Sequence, residues 1–145
     1  MKNTIQSDPQ INQSTKLLVI IMGILTGLTG SMHGIAEILQ GNKPTEGLVL
    51  AGVGVLTVIP NYLCTGIVST LLGAGVITWT ITSVHKKSDP SVYLLLSILL
   101  FLTGGGIAIT ALFLITWGLA TIINKPLIWW RKVLSEKIRK SLSGL

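Results

Sequence analysis

The sequence predicts an all-α, polytopic membrane protein: a four-helix transmembrane bundle followed by a basic amphipathic C-terminal helix. The first observation is three long apolar stretches, residues 17–40, 47–84 and 91–124, in which Glu37 is the only Asp, Glu, Lys or Arg. The second is composition, since 11% of the residues are charged and the mean hydropathy is +0.72. About a quarter of the residues of a soluble domain are charged. Uncharged apolar stretches of about 18 residues or more are typical of membrane helices.

Composition also limits the domain organisation and the kinds of site. The 145 residues suffice for one membrane domain without a separate soluble one. The single cysteine, Cys64, excludes an intrachain disulfide and a Cys-rich zinc or iron–sulfur centre within one chain. Residues 1–16 are polar and predict a flexible arm. The apolar run after them is too long for a cleaved signal peptide, so we expect none.

The first apolar stretch, residues 17–40, predicts a helix that crosses the bilayer. At a rise of about 1.5 Å per residue, a helix of this length covers roughly 30 Å of hydrocarbon with some tilt. Gly41 and Pro44 predict its end, because glycine favours the C-terminal cap and proline cannot continue a helix.

The second stretch is interrupted by Pro60. Proline is tolerated in the first turn of a helix and disfavoured in its interior. We therefore predict the second membrane helix at residues 57–84. Residues 47–56 are too short to cross the bilayer, so we expect an interfacial or re-entrant connector packed on the bundle.

The third stretch contains a glycine triplet at residues 104–106, where a tight turn is favoured. It predicts a hairpin of two helices, residues 90–103 and 107–124. Eight of the eleven Lys and Arg lie at residues 86–87 or beyond 124, and positively charged loops stay in the cytoplasm. Both groups can be cytoplasmic only if the third stretch crosses the membrane twice. We therefore expect a multi-pass protein of the cell membrane with both termini in the cytoplasm.

A five-helix alternative stays open. In that topology residues 47–60 form a further span, and the N-terminus lies outside.

Two motifs carry a resemblance to a known family. They read HGIAEILQGN at residues 33–42 and IPNYLCTG at residues 59–66. Together with the glycine triplet they resemble a family of small uncharacterised prokaryotic four-helix membrane proteins, whose members read HG-x-x-E-x-LQGN and IPN-[FY]-L-x-TG. The resemblance covers most of residues 17–124 and implies four helices, without an activity. The short apolar segment at residues 47–56 departs from the longer, more polar outer loop that the family implies.

The first helix carries small residues at alternating spacings of four and three, which we call the glycine seam: Gly23, Gly27, Gly30 and Gly34. This spacing places them on one face, where another backbone can approach closely. Glu37 continues the glycine seam and is therefore expected to face protein. His33 precedes Glu37 by one turn, so the two side chains can meet. Ionisable residues inside a membrane indicate function by default; the alternative is that lipid headgroups solvate Glu37 near its helix end.

An outer-leaflet polar cluster is the predicted ligand site or ion relay. Asn61, Tyr62 and Thr65 lie at the outer start of the second helix, level with Glu37 and His33. We expect Glu37 to contact His33, Asn61 or Tyr62. The alternative is that such polar residues only bridge helices, at about 0.6 kcal/mol each.

Metal and haem sites are not expected, and the prediction includes no cofactor. One His and one Glu are too few ligands for a stable metal site within one chain. His85 falls in a cytoplasmic loop, far from His33, so the two cannot share a haem.

Residues 125–145 predict an amphipathic helix on the anionic cytoplasmic surface. Apolar residues recur there at spacings of three and four, with basic residues on the other faces. Because lipid headgroups account for the basic charge, no nucleic-acid partner is expected. The predicted anchors to the membrane surface are Trp129, Trp130, Arg131, Lys132, Lys137, Arg139 and Lys140.

The sequence is compatible with three functions. The leading hypothesis is a non-enzymatic integral membrane protein, a bundle that packs with itself or with a larger partner and carries an outer-leaflet polar pocket. The alternative is a small transporter or channel subunit that uses Glu37 and His33 as a proton or cation relay, which would require an oligomer. A membrane enzyme acting on lipid headgroups ranks last, because the sequence offers neither paired carboxylates nor a nucleophile with its base.

Overall fold

The computed structural model describes residues 13–45, 57–84, 90–104 and 107–123. The all-α prediction is confirmed there, since these residues form four helices and no strand. The helices are α1 (Gln13–Gln40), α2 (Tyr62–Ser83), α3 (Pro90–Leu102) and α4 (Ile107–Ile122). The predicted connector at residues 47–56 and the predicted tail helix at residues 125–145 lie outside the described residues, as does most of the predicted N-terminal arm.

Helix α1 begins at Gln13, ahead of the predicted start at residue 17. Hydropathy marks where the apolar surface begins, whereas a helix can continue into polar residues beyond it. Thr15 is already buried in the bundle. The predicted end is confirmed: Gly41 has a φ of +78°, which favours glycine, and its N–H donates to the carbonyl of Ile38 at 3.0 Å.

Helix α2 begins at Tyr62, later than the predicted start at residue 57. The residue before a proline avoids the helical region, so Pro60 forces the preceding backbone out of a helix. Asn61 instead provides the N-cap, with its side-chain oxygen accepting from the N–H of Cys64 at 3.1 Å. Thr57 forms an isolated antiparallel bridge with Thr103.

Helices α3 and α4 follow the predicted hairpin. Gly104 has a φ of +102° directly after α3, and α4 starts at Ile107. Gly104, the described residue of the glycine triplet, therefore lies at the predicted turn.

The four helices run up and down around a ring. Helix α1 packs on α2 and α4, while α3 packs on the other side of α2 and α4. One end of the bundle, here the cap end, gathers the end of α1, the start of α2 and the α3–α4 turn. At the opposite end, here the base end, Val19, Val84, Ala120 and Ile123 form an apolar cluster.

Backbone-to-backbone contact joins α1 and α2. A Cβ atom added at Gly34 would lie 2.7 Å from the carbonyl oxygen of Gly66, and one at Gly27 would lie 2.7 Å from that of Gly73. Both distances are shorter than a van der Waals contact, so only glycine fits. The other seam glycines, Gly23 and Gly30, face the side chains of Thr80 and Leu100.

The two long helices differ from the two short ones in their membrane-spanning capacity. Helices α1 and α2 are long and apolar enough to cross a bilayer, whereas the apolar helices α3 and α4 are shorter. Large apolar side chains are exposed along α1 on the face opposite the glycine seam, including Leu25, Met32 and Leu39. The central core contains Val76, Tyr93, Leu100, Ile109 and Phe113.

Candidate functional site

Glu37 is buried although it lies near the end of α1. Its side chain is 1% exposed, and both carboxyl oxygens are buried without a hydrogen-bond partner. Burial of a charge without a partner is strongly unfavourable, so this carboxyl group requires a proton, a counter-ion or a rearranged neighbour. Both carboxyl oxygens of Glu37 can therefore still bind a proton, a cation or a hydrogen-bond donor.

His33 is the ionisable group beside it. Its Nε2 lies 3.6 Å from Oε1 of Glu37, one helical turn away. This distance is too long for a hydrogen bond, and Nε2 also has no hydrogen-bond partner. The expected contact with His33 is present at ion-pair distance, without a hydrogen bond between the two side chains. A small shift or one bridging ligand could join them.

A segment of irregular backbone, residues 57–61, closes the cap end; we call it the strap. The N–H of Val58 donates to the carbonyl of Leu102 at 3.0 Å, which ties the strap to α3. The N–H of Thr45 donates to the carbonyl of Pro60 at 3.4 Å, which ties it to the loop after α1. The strap therefore joins the loop after α1 to the end of α3 at the cap end.

The three polar residues predicted to join Glu37 hold the strap and α2 instead. Asn61 donates from Nδ2 to Oδ1 of Asn42 at 2.6 Å while it caps α2. The backbone N–H of Tyr62 donates to the carbonyl of Lys43 at 3.0 Å. Thr65 is fully buried and donates to the carbonyl of Asn61 at 2.6 Å. Of the three expected neighbours of Glu37, His33 is the one in contact, and Glu37 makes no hydrogen bond to Asn61 or Tyr62.

Further buried hydroxyl groups lie deeper in the bundle, and those of Thr26, Tyr93 and Ser97 were missed by sequence reasoning. Ser69 donates to the carbonyl of Thr103, and the Tyr93 hydroxyl donates to Oγ1 of Thr26 at 3.3 Å. Ser97 is fully buried, and its Oγ has no hydrogen-bond partner. A usable signal existed for Ser97, because it is the one polar residue between Leu94 and Leu102.

The remaining predicted residues are the glycine seam, which packs within the bundle, and the membrane-surface anchors, which lie outside the described residues. All four glycines of the glycine seam lie against α2 or α3. The predicted membrane-surface anchors, from Trp129 to Lys140, lie outside the described residues. Within the described ranges, no group of three or more His, Cys, Asp or Glu side chains could hold a metal ion.

Comparison with known proteins identifies no family for this chain. The chain matches no protein-family model, and it has no significant match among curated proteins or solved structures. The resemblance to four-helix membrane proteins remains a prediction.

Proposed function

We infer that the chain is a non-enzymatic, multi-pass membrane protein whose bundle holds an occluded polar site at Glu37, near the outer leaflet. The observation that carries this inference is a carboxyl group that is 1% exposed and makes no hydrogen bond. Such a group destabilises the fold, and ionisable groups inside a membrane are retained mainly where they serve a function. A purely structural bundle would accommodate Leu or Gln at this position more easily.

Membrane insertion is supported by the surface of the two long helices. About one third of the apolar window of α1 and of α2, 33% in each, is buried within the bundle. The remaining apolar surface includes side chains as exposed as Leu39, at 82%. Monomeric soluble proteins rarely expose contiguous apolar patches of this kind, and lipid would cover them.

Four crossings with cytoplasmic termini are supported by the direction of the helices. The end of α2 and the end of α4 lie together with the start of α1 at the base end. The lysines at residues 86–87 and the basic tail follow these two helix ends. If the base end is cytoplasmic, both groups of basic residues lie in the cytoplasm, as the positive-inside rule requires. Helix α3 covers only about 20 Å, so its crossing requires flanking residues or local thinning of the bilayer.

The proposed partners are membrane lipids and other membrane chains. The basic tail would bind anionic headgroups at the cytoplasmic face. An oligomer or a larger membrane complex would have to use a face other than the glycine seam, because α2 and α3 already occupy that seam within the chain. No nucleic-acid partner is proposed.

A second candidate function, a proton or cation relay, is favoured by the pair itself. His33 and Glu37 both retain unused buried polar atoms at a separation of 3.6 Å. Two adjacent ionisable groups without other partners can pass a small cation or a proton between them.

The test of the proposed function is the labelling of single cysteines with a membrane-impermeant thiol reagent, in a Cys64→Ser background. We expect cysteines at positions 43 and 105 to label from outside and cysteines at positions 87 and 140 from the cytoplasm. Labelling of positions 87 and 140 from opposite sides would contradict four crossings. Labelling of all four positions from one side, on a protein extracted by carbonate washing, would contradict membrane insertion.

A further inference from the structure

The turn of α1 that carries Glu37 lies directly against the backbone of α2. A Cβ atom added at Gly66 of α2 would lie 2.5 Å from the carbonyl oxygen of Gly34 and 2.7 Å from the backbone nitrogen of Ile38. Glu37 lies between these two residues in the sequence, in the same turn of helix. The position of its carboxyl group is therefore fixed by the turn that holds the end of α1 on α2.

Glu37 can remain in this position only if its charge is neutralised. The side chain is 1% exposed, and neither carboxyl oxygen has a hydrogen-bond partner. A buried carboxylate without a partner is strongly unfavourable. Within the described ranges no cluster of ligating side chains is present to hold a metal ion beside it. A proton is therefore the simplest means of neutralising this group.

His33 is the group that can share this proton. Its Nε2 is buried without a hydrogen-bond partner and lies 3.6 Å from Oε1 of Glu37. A proton on either atom would form one hydrogen bond between them once they approach to roughly 2.7–3.0 Å. The His33 side chain is 35% exposed although its Nε2 is buried. The imidazole ring therefore extends from Glu37 to the surface of the bundle, where a proton can be exchanged.

His33 is the described titratable group that contacts Glu37. The other titratable side chains of the described residues are Lys16 on α1, Lys43 in the loop after α1, Tyr62 and Cys64 on α2, and Tyr93 on α3, while α4 has none. None of these forms an ion pair with Glu37, and its oxygens accept no hydrogen bond from them. The charge of Glu37 therefore depends on the protons held by Glu37 and His33 themselves.

We propose that Glu37 and His33 form a proton-operated latch that holds the end of α1 against α2. The proposal rests on the occluded site proposed above and specifies how that site is regulated. With one proton on the pair, at Oε1 or at Nε2, the two side chains hydrogen-bond to each other and the turn stays buried. When this proton leaves, the carboxylate is charged and unpaired, and the end of α1 separates from α2 so that the carboxylate reaches water. One proton is bound or released, and no bond between heavy atoms changes.

A rise in pH opens the latch. The closed form binds one more proton at the pair than the open form, so its stability falls as the pH rises through the range in which this proton is lost. Glu37→Gln cannot become charged and should stay closed at every pH. His33→Gln removes one of the two atoms that can hold the shared proton, so it should open at a lower pH than the wild type.

The test is the distance between the end of α1 and the start of α2, measured by electron paramagnetic resonance on the spin-labelled full chain in liposomes. Labels on Leu39→Cys and on the native Cys64 occupy exposed positions at the cap end. The pH, equal on both sides of the bilayer, is raised from about 5 to about 9, a range that includes the ordinary pKa of imidazole. We expect the distance to lengthen by about 3 Å or more, which is room for a layer of water. The lengthening should be absent in Glu37→Gln and should begin at a lower pH in His33→Gln.

A label pair at the base end is the matched control. Leu18→Cys and Ile81→Cys, in a Cys64→Ser background, place labels at exposed positions on the same two helices. Their distance should stay constant over the same pH range. An equal change at both ends would indicate unfolding of the bundle and would contradict a latch at the cap end. Circular dichroism and gel filtration identify misfolded variants, and the His33→Gln shift still decides the question if Glu37→Gln is among them.

Three results would overturn the latch: a constant cap-end distance in the otherwise wild-type chain, the same lengthening in folded Glu37→Gln, or opening of His33→Gln at the wild-type pH. Thiol labelling of Glu37→Cys separates failure of the latch from failure of the occluded site. If position 37 stays unlabelled while the cap-end distance is constant, the occluded site stands and the latch fails. If position 37 is labelled readily, the occluded site fails and the latch fails with it.

Discussion

Substitution of Gly34 by alanine is the sharpest test of the contact between α1 and α2. The added Cβ atom would lie 2.7 Å from the carbonyl oxygen of Gly66 and 2.7 Å from the backbone nitrogen of Thr70. Both neighbours are backbone atoms, so no side-chain rotation can relieve the clash. Ordinary contact begins at 3.4 Å, and the two helices must therefore separate by about 0.7 Å.

The expected loss of stability follows from two opposing effects. Overpacking a tight contact costs about 1–3 kcal/mol, while replacing glycine by alanine within a helix gains about 1 kcal/mol. Gly75→Ala is the matched control, because a Cβ atom there would meet only Leu96, at 4.0 Å. The difference in free energy of unfolding between the two variants is therefore the cost of the clash alone, about 1–3 kcal/mol. At this chain length each kcal/mol lowers the unfolding temperature by roughly 4 °C.

The assay is thermal unfolding in mild detergent, followed by the fluorescence of the tryptophans. Gly34→Ala should unfold several degrees below Gly75→Ala, and Gly75→Ala should unfold at or above the wild-type temperature. Equal unfolding temperatures for the two variants would refute the close approach of α1 and α2 at Gly34.

Three further outcomes are expected. Asn61→Ala should lower the free energy of unfolding by about 1 kcal/mol in denaturant titration, because it removes the N-cap of α2; an unchanged midpoint would argue against the cap. Tyr93→Phe should cost about 0.6 kcal/mol in the same titration, because it removes the hydroxyl that bonds to Thr26; a loss above 2 kcal/mol would indicate a larger role. Neutralising the tail should release a tail-attached fluorophore from liposomes of acidic lipid, and equal binding in high salt would exclude an electrostatic anchor. The residues to neutralise are Arg131, Lys132, Lys137, Arg139 and Lys140.

The helices and their ends followed from local chemistry. The end of α1 at Gly41 and the turn at Gly104 were predictable because glycine, which lacks a Cβ atom, tolerates a positive φ. The face of α1 that packs was predictable because its spacing repeats. The start of α2 was predicted too early, because the effect of Pro60 on the residue before it was given less weight than its tolerance in a first turn.

The arrangement around Glu37 was not predictable from local pattern. It lies at the cap end, which is held by bonds between residues distant in the sequence, such as Val58 and Leu102. Asn61 was expected near Glu37 because both lie at the same depth, but its side chain satisfies the first turn of α2 instead. Two side chains can meet only if they lie at the same depth in the bundle. A polar side chain at a helix start, such as Asn61, bonds first to the unpaired N–H groups of its own helix.

The most direct test of the central claim is the accessibility of position 37 compared with position 40. In a Cys64→Ser background, Glu37→Cys and Gln40→Cys would be treated in liposomes with a membrane-impermeant thiol reagent. Glu37 is 1% exposed, whereas Gln40 is exposed at the end of α1. We predict rapid labelling at position 40 and none at position 37. Equal labelling at the two positions would contradict an occluded site.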